Sequence, residues 1–95
     1  MEFFLATKQN GINGMFDGLL GLCRNETGYT LGPLFMSQLK SQGVIQNNVM
    51  AFFLTNVTNQ SVAEFGGYST KYMRNPKVPP VYVKAQNSPY WLMKV

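Results

Sequence analysis

Histidine is absent from this 95-residue chain, and cysteine occurs once, at Cys23. Without an imidazole, neither a Ser-His nor a Cys-His nucleophilic pair can be assembled, and a zinc site lacks its commonest nitrogen ligand. A single cysteine closes no internal disulfide. With no histidine to activate its thiol, Cys23 reads as a small buried apolar residue. Carboxylates are scarce too: Glu2, Asp17, Glu26 and Glu64 stand against eight Lys and Arg, a net charge of +4. The cations Lys8, Arg24, Lys40, Lys71, Arg74, Lys77, Lys84 and Lys94 are scattered and form no run. The basicity, with a pI near 9.4, therefore reflects missing acids rather than a nucleic-acid-binding face. No stretch is long and apolar enough to span a bilayer, and residues 1–6 lack the basic start of a secretory leader.

What is present is a globular composition, 45% hydrophobic and 14% aromatic, with β-branched and aromatic residues prominent. Strands are expected to dominate. Residues 3–6 form a short apolar strand candidate, followed by Asn10-Gly11 and Asn13-Gly14, which mark turns because Asn and Gly tolerate positive φ. The central stretch is Phe16-Asp17-Gly18-Leu19-Leu20-Gly21-Leu22. It is too short for a helix and reads as an apolar strand, with Gly18 and Gly21 expected where a side chain would obstruct a neighbouring backbone. One helix is expected from Pro33 to about Gln42, with proline preset at the first helical position. Gly43 is its left-handed stop, with Val44 folding back on Leu39.

Residues 49–55 have apolar side chains on both faces, as expected for a strand covered on both sides and central in its sheet. Residues 56–60 form a polar loop, residues 62–65 the partner strand, and Gly66-Gly67 ends the hairpin. Three prolines make residues 76–80 an extended connector. Residues 81–83 and 90–95 are expected as strands around a turn at residues 86–89. There is no internal repeat.

These motifs in this order resemble the pepsin-like aspartic endopeptidases, closest to the cathepsin D type. The resemblance rests on residues 6–12, Phe16-Asp17-Gly18-Leu19-Leu20-Gly21, the Pro33 helix with its Gly-apolar end, Phe65-Gly66-Gly67, residues 69–75, and Tyr90-Trp91. It implies an all-β fold: part of a double-lobed β-barrel with one short α-helix. Residues 1–75 would supply the latter half of the first lobe and the interlobe hairpin, residues 76–80 a connector, and residues 81–95 the first strands of the second lobe. The loop before Phe16 is shorter than the family's and carries no equivalent of its pocket aromatic. By the resemblance, Phe16 and Leu19 lie on the apolar wall of the substrate pocket; ordinary interior burial is the reading from composition, and the two are compatible.

The family's catalytic Asp-Thr/Ser-Gly motif occurs nowhere in the chain. Aspartic proteolysis needs two carboxylates sharing a proton, one as base on water and the other polarising the peptide carbonyl. Asp17, the sole aspartate, lies in Asp-Gly-Leu and reads as a turn residue. No catalytic residue is assigned. The expectation is a fragment of an endopeptidase that acts on peptide or protein substrates without metal or organic cofactor, and that is inactive alone. It would need the remaining protease segments, or an assembly covering its strand edges. The alternative is a non-catalytic binding or structural subunit descended from the same fold. Three glycosylation sequons, at Asn25, Asn56 and Asn59, accord with the secretory, lysosomal or extracellular setting that the resemblance implies. Tyr68, Tyr72, Tyr82 and Tyr90 read as structural rather than as a base-stacking surface.

Overall fold

The computed structural model describes residues 1–12, 14–24 and 32–94. Its regular elements are a helix α1 (Phe35–Ser41), strands β1 (Met50–Phe53) and β2 (Val62–Phe65), and a 3-10 turn over Thr70–Tyr72. Extended segments make up most of the remainder, in keeping with a partial all-β architecture. No helix among the described residues is long and apolar enough to cross a membrane.

Helix α1 starts two residues later than Pro33 suggests: Leu34, at ψ 145, is its extended N-terminal boundary, so the proline precedes the helix rather than opening it. Its end is as expected. Gly43 sits at φ 73, its N–H donates to the Lys40 carbonyl (3.0 Å), and the Val44 N–H reaches back to the Leu39 carbonyl (2.9 Å). This pair of bonds is the Schellman arrangement, which satisfies carbonyls that the helix leaves open.

The β1–β2 hairpin is antiparallel, with Met50 opposite Phe65 and Phe53 opposite Val62. One face carries Met50, Phe52, Ala63 and Phe65; there Phe35 of α1 meets Phe65 edge-to-face, with ring centroids 5.4 Å apart. On the other face Phe53 stacks on Tyr72 of the 3-10 turn at 5.0 Å. Each aromatic pair contributes about 0.5–1.5 kcal/mol beyond its buried area. Each face of the hairpin thus meets one aromatic ring, Phe35 at the base and Tyr72 nearer the loop, in line with its two-faced apolar pattern. It is not central, however. Among the described residues the sheet has two strands, and toward the tip Phe52 (52%) and Leu54 (79%) are exposed.

Ile45 is the buried apolar side chain at the middle of this arrangement. Gly66 lies against it: a Cβ there would stand 2.9 Å from Ile45 Cγ2, and φ is 94. The Gly66 N–H also continues the ladder to the Val49 carbonyl at 2.6 Å. Gln38 is the buried polar residue. Its Nε2 donates to the Glu2 carbonyl (3.1 Å) and its Oε1 accepts from the Glu2 N–H, so one side chain pairs with Glu2 as a neighbouring strand would.

The other expected strands differ from the observed structure. Residues 3–6, 16–22 and 81–83 are unpaired, and residues 90–94 join only one isolated bridge, Ala85 with Met93. A strand exists only when its N–H and C=O groups find a partner backbone, and residues 3–6, 16–22 and 81–83 find none among the described residues. Nor do Gly18 and Gly21 obstruct anything: a Cβ at either meets no atom within 4 Å. The accessible surface, 8748 Å², reflects this openness. A self-contained protein of this mass exposes about 5,500 Å².

Candidate functional site

The Phe16–Leu22 stretch and the Tyr90-Trp91 pair are distant in sequence but meet in space. Trp91 Nε1–H donates to the Leu22 carbonyl at 2.8 Å, and the Arg24 N–H donates to the Pro89 carbonyl, also at 2.8 Å. The Arg24 guanidinium adds donation to the Gln86 carbonyl (2.5 Å) and the Ser88 carbonyl (3.4 Å). Arginine suits this task because its planar fork presents several donors to carbonyls spread along a turn. The turn at residues 86–89 is held from within by the Gln86 N–H to Leu92 carbonyl bond (2.8 Å).

Beside this junction lies a cleft of about 70 Å³, walled by Cys23, Leu34, Met36, Met50 and Trp91 among others; Cys23, expected to be buried, is exposed because nothing among the described residues packs over it. Ligand pockets commonly run from about 300 Å³ upward, so the cleft is a packing gap rather than a ligand site. A larger, open hollow of about 450 Å³ lies between Met1, Glu2 and the face of α1 bearing Gln38. Neither is lined by Phe16 or Leu19. Those two side chains are exposed, at 50% and 74%, on a segment that leads into the Trp91 junction.

Among the described residues the carboxylates do not assemble a catalytic pair. Asp17 is exposed. Glu64 is occupied by Ser69, which donates from both its hydroxyl and its backbone N–H, the latter at 2.7 Å. These two bonds, aided weakly by Lys71, hold the Glu64 carboxyl below its ordinary 4.5. The bridge ties β2 to the chain beyond Gly66-Gly67 and is structural. Tyr68 and Tyr82 form another link, their hydrogen bond pushing the Tyr68 phenol above its ordinary 10.0.

Of the three sequons, Asn56 and Asn59 are exposed in the β1–β2 loop, while Asn25 lies outside the described residues. Sequence reading missed the Arg24 and Gln38 contacts. Both are side chains bonding to distant backbone, an interaction that leaves no periodic trace.

The hairpin ending in Gly66-Gly67, the helix with its glycine stop and the junction of the Phe-Asp-Gly stretch with Tyr-Trp define a piece of an all-β fold with the order of the pepsin-like enzymes. A model of the eukaryotic aspartyl protease family matches residues 1–95, and the chain belongs to that family. No curated protein and no solved structure matches it.

Proposed function

We propose that the chain is the middle piece of a pepsin-like aspartic endopeptidase of the cathepsin D type, without catalytic power by itself. One observation carries this reading: the family match covers residues 1–95, yet the only aspartate in them is Asp17, in Asp-Gly-Leu. A dyad of two carboxylates sharing a proton cannot be drawn from that inventory. The aspartates would be supplied by chain on either side. Within the enzyme, residues 1–75 serve the first lobe and the interlobe hairpin, residues 76–80 the connector, and residues 81–95 the start of the second lobe. Phe16 and Leu19 face an apolar substrate side chain beside the scissile peptide bond. The parent works in the secretory pathway, in a lysosome-like compartment or outside the cell.

The open surface supports the same reading, since the unpaired segments offer edges for the missing lobes to complete. Intact-mass measurement of the native protein tests it. The expected result is a chain longer than 95 residues, with an Asp-Thr/Ser-Gly motif on each side and pepstatin-sensitive proteolysis at acid pH. A native mass equal to this chain alone, within a stable assembly, would favour the non-catalytic subunit. Pepstatin-sensitive digestion by the pure 95-residue chain would overturn both.

A further inference from the structure

The β1–β2 loop contains two sequons back to back, Asn56-Val57-Thr58 and Asn59-Gln60-Ser61, with both asparagines exposed. The structure sets them apart. The Ser61 hydroxyl accepts from the Thr55 N–H (3.1 Å) and donates to the Thr55 carbonyl (3.2 Å), closing the ends of the two strands. Asn59 is itself part of the turn. It stands at φ 62, in the third position of a turn closed by the Gln60 N–H to Val57 carbonyl bond at 3.2 Å. Asparagine is one of the few residues besides glycine that adopt such a left-handed site readily. The side chains of Asn56 and Thr58 make no hydrogen bond to the described residues.

We infer that the hairpin tip bears an N-linked oligosaccharide on Asn56 and none on Asn59. This rests on the secretory reading above. In the transfer, Asn56 Nδ2 forms a bond to C1 of the first sugar of a polyprenyl-diphosphate-linked oligosaccharide. The bond from C1 to the phosphate oxygen breaks, the polyprenyl diphosphate leaves with the electron pair, and one amide proton passes to base. Nothing is oxidised or reduced. Thr58 supplies the hydroxyl two residues on that defines an acceptor site. The bulky, hydrated group then projects from the tip beside Leu54 and Val57, which are 79% and 49% exposed.

The test is made on the full-length native protein recovered from its own cells. Deglycosylation by peptide N-glycosidase in heavy-oxygen water converts a glycosylated asparagine to labelled aspartate, which is located by mass spectrometry of the tryptic peptide that spans both sequons. The expected result is label at position 56 and none at position 59. Expressed as full-length variants, T58A loses the label, whereas T58S and N59Q keep it. An unlabelled Asn56 in protein shielded from added protease inside intact vesicles overturns the glycan and leaves the secretory protease standing. Label at position 59 overturns the choice between the two sites. Protein accessible outside the vesicles overturns the secretory reading and the glycan together.

Discussion

Trp91 donates its indole N–H to the carbonyl oxygen of Leu22, two residues separated by 69 positions of chain and joined at 2.8 Å. The bond fastens the end of the Phe-Asp-Gly stretch to the last segment of the chain. Replacing Trp91 with Phe keeps most of the ring and deletes the donor. Because the site is half-exposed, water can take over the Leu22 carbonyl, so W91F in the full-length protein should cost about 0.5–1 kcal/mol. Denaturant midpoints measure it. Arg24 clamps the same turn, so R24A and W91F should be non-additive, with a coupling of about 0.5 kcal/mol or more in a double-mutant cycle.

Gly66 and Gly43 both have positive φ, at 94 and 73, but their surroundings differ. An alanine at position 43 meets open space and suffers only the backbone penalty, about 1–2 kcal/mol. At position 66 the new methyl group would sit 2.9 Å from buried Ile45, so repacking adds to that penalty. Overpacking of this kind costs about 1–3 kcal/mol by itself. G66A should therefore lower the unfolding midpoint clearly more than G43A. Equal effects would show that Ile45 has room to move.

The Glu64–Ser69 bridge predicts an acid-side dependence. Because the folded Glu64 carboxyl titrates below its ordinary 4.5, the contribution is present above that pH and is lost as pH falls through the depressed folded value. Replacing Ser69 with Ala removes the leading cause, the hydroxyl donor. Glu64 should then titrate closer to 4.5, as read by carbon-detected NMR of its carboxyl, and acid unfolding should begin at higher pH. E64Q should abolish this component of the pH dependence.

Gln38 predicts a local effect. Its amide pairs with both backbone groups of Glu2, so Q38L should release residues 1–5 while leaving α1 in place. Hydrogen exchange at the Glu2 amide should accelerate, and protease should cut the freed segment sooner. Because Glu2 can turn to water, the global cost should be only about 1 kcal/mol.

The sequence made legible those elements whose cause is local. Gly43 stops α1 because few other residues adopt its backbone angles at low cost. The hairpin follows from apolar residues flanking the polar stretch at residues 56–60. What it did not disclose is pairing at a distance. Residues 16–22 have the composition of a strand but no partner among the described residues, and apolar content alone cannot distinguish a strand in place from one awaiting its neighbours. The Arg24 and Trp91 contacts were invisible for the same reason: nothing near them in sequence indicates where their donors go. The motif at Phe16 was legible by family resemblance, whereas the contacts around it were not.

Phe16 and Leu19 allow the pocket role to be separated from ordinary burial. Both are large apolar residues exposed in this structure, at 50% and 74%, so each has a face available to something outside the described chain. If neighbouring lobe residues cover them, truncation to alanine leaves a cavity and costs about 2–5 kcal/mol of stability. If instead they face substrate, the loss falls on recognition of an apolar side chain, where a missing contact is worth about 10–200-fold in discrimination. By the function proposed above, F16A and L19A in a longer protease that contains this chain should lower kcat/KM for peptides with a large apolar residue beside the cut far more than for those with a small one. Their unfolding midpoints should move little. A large fall in stability with unchanged preference among substrates would place both side chains in the interior and remove them from the pocket.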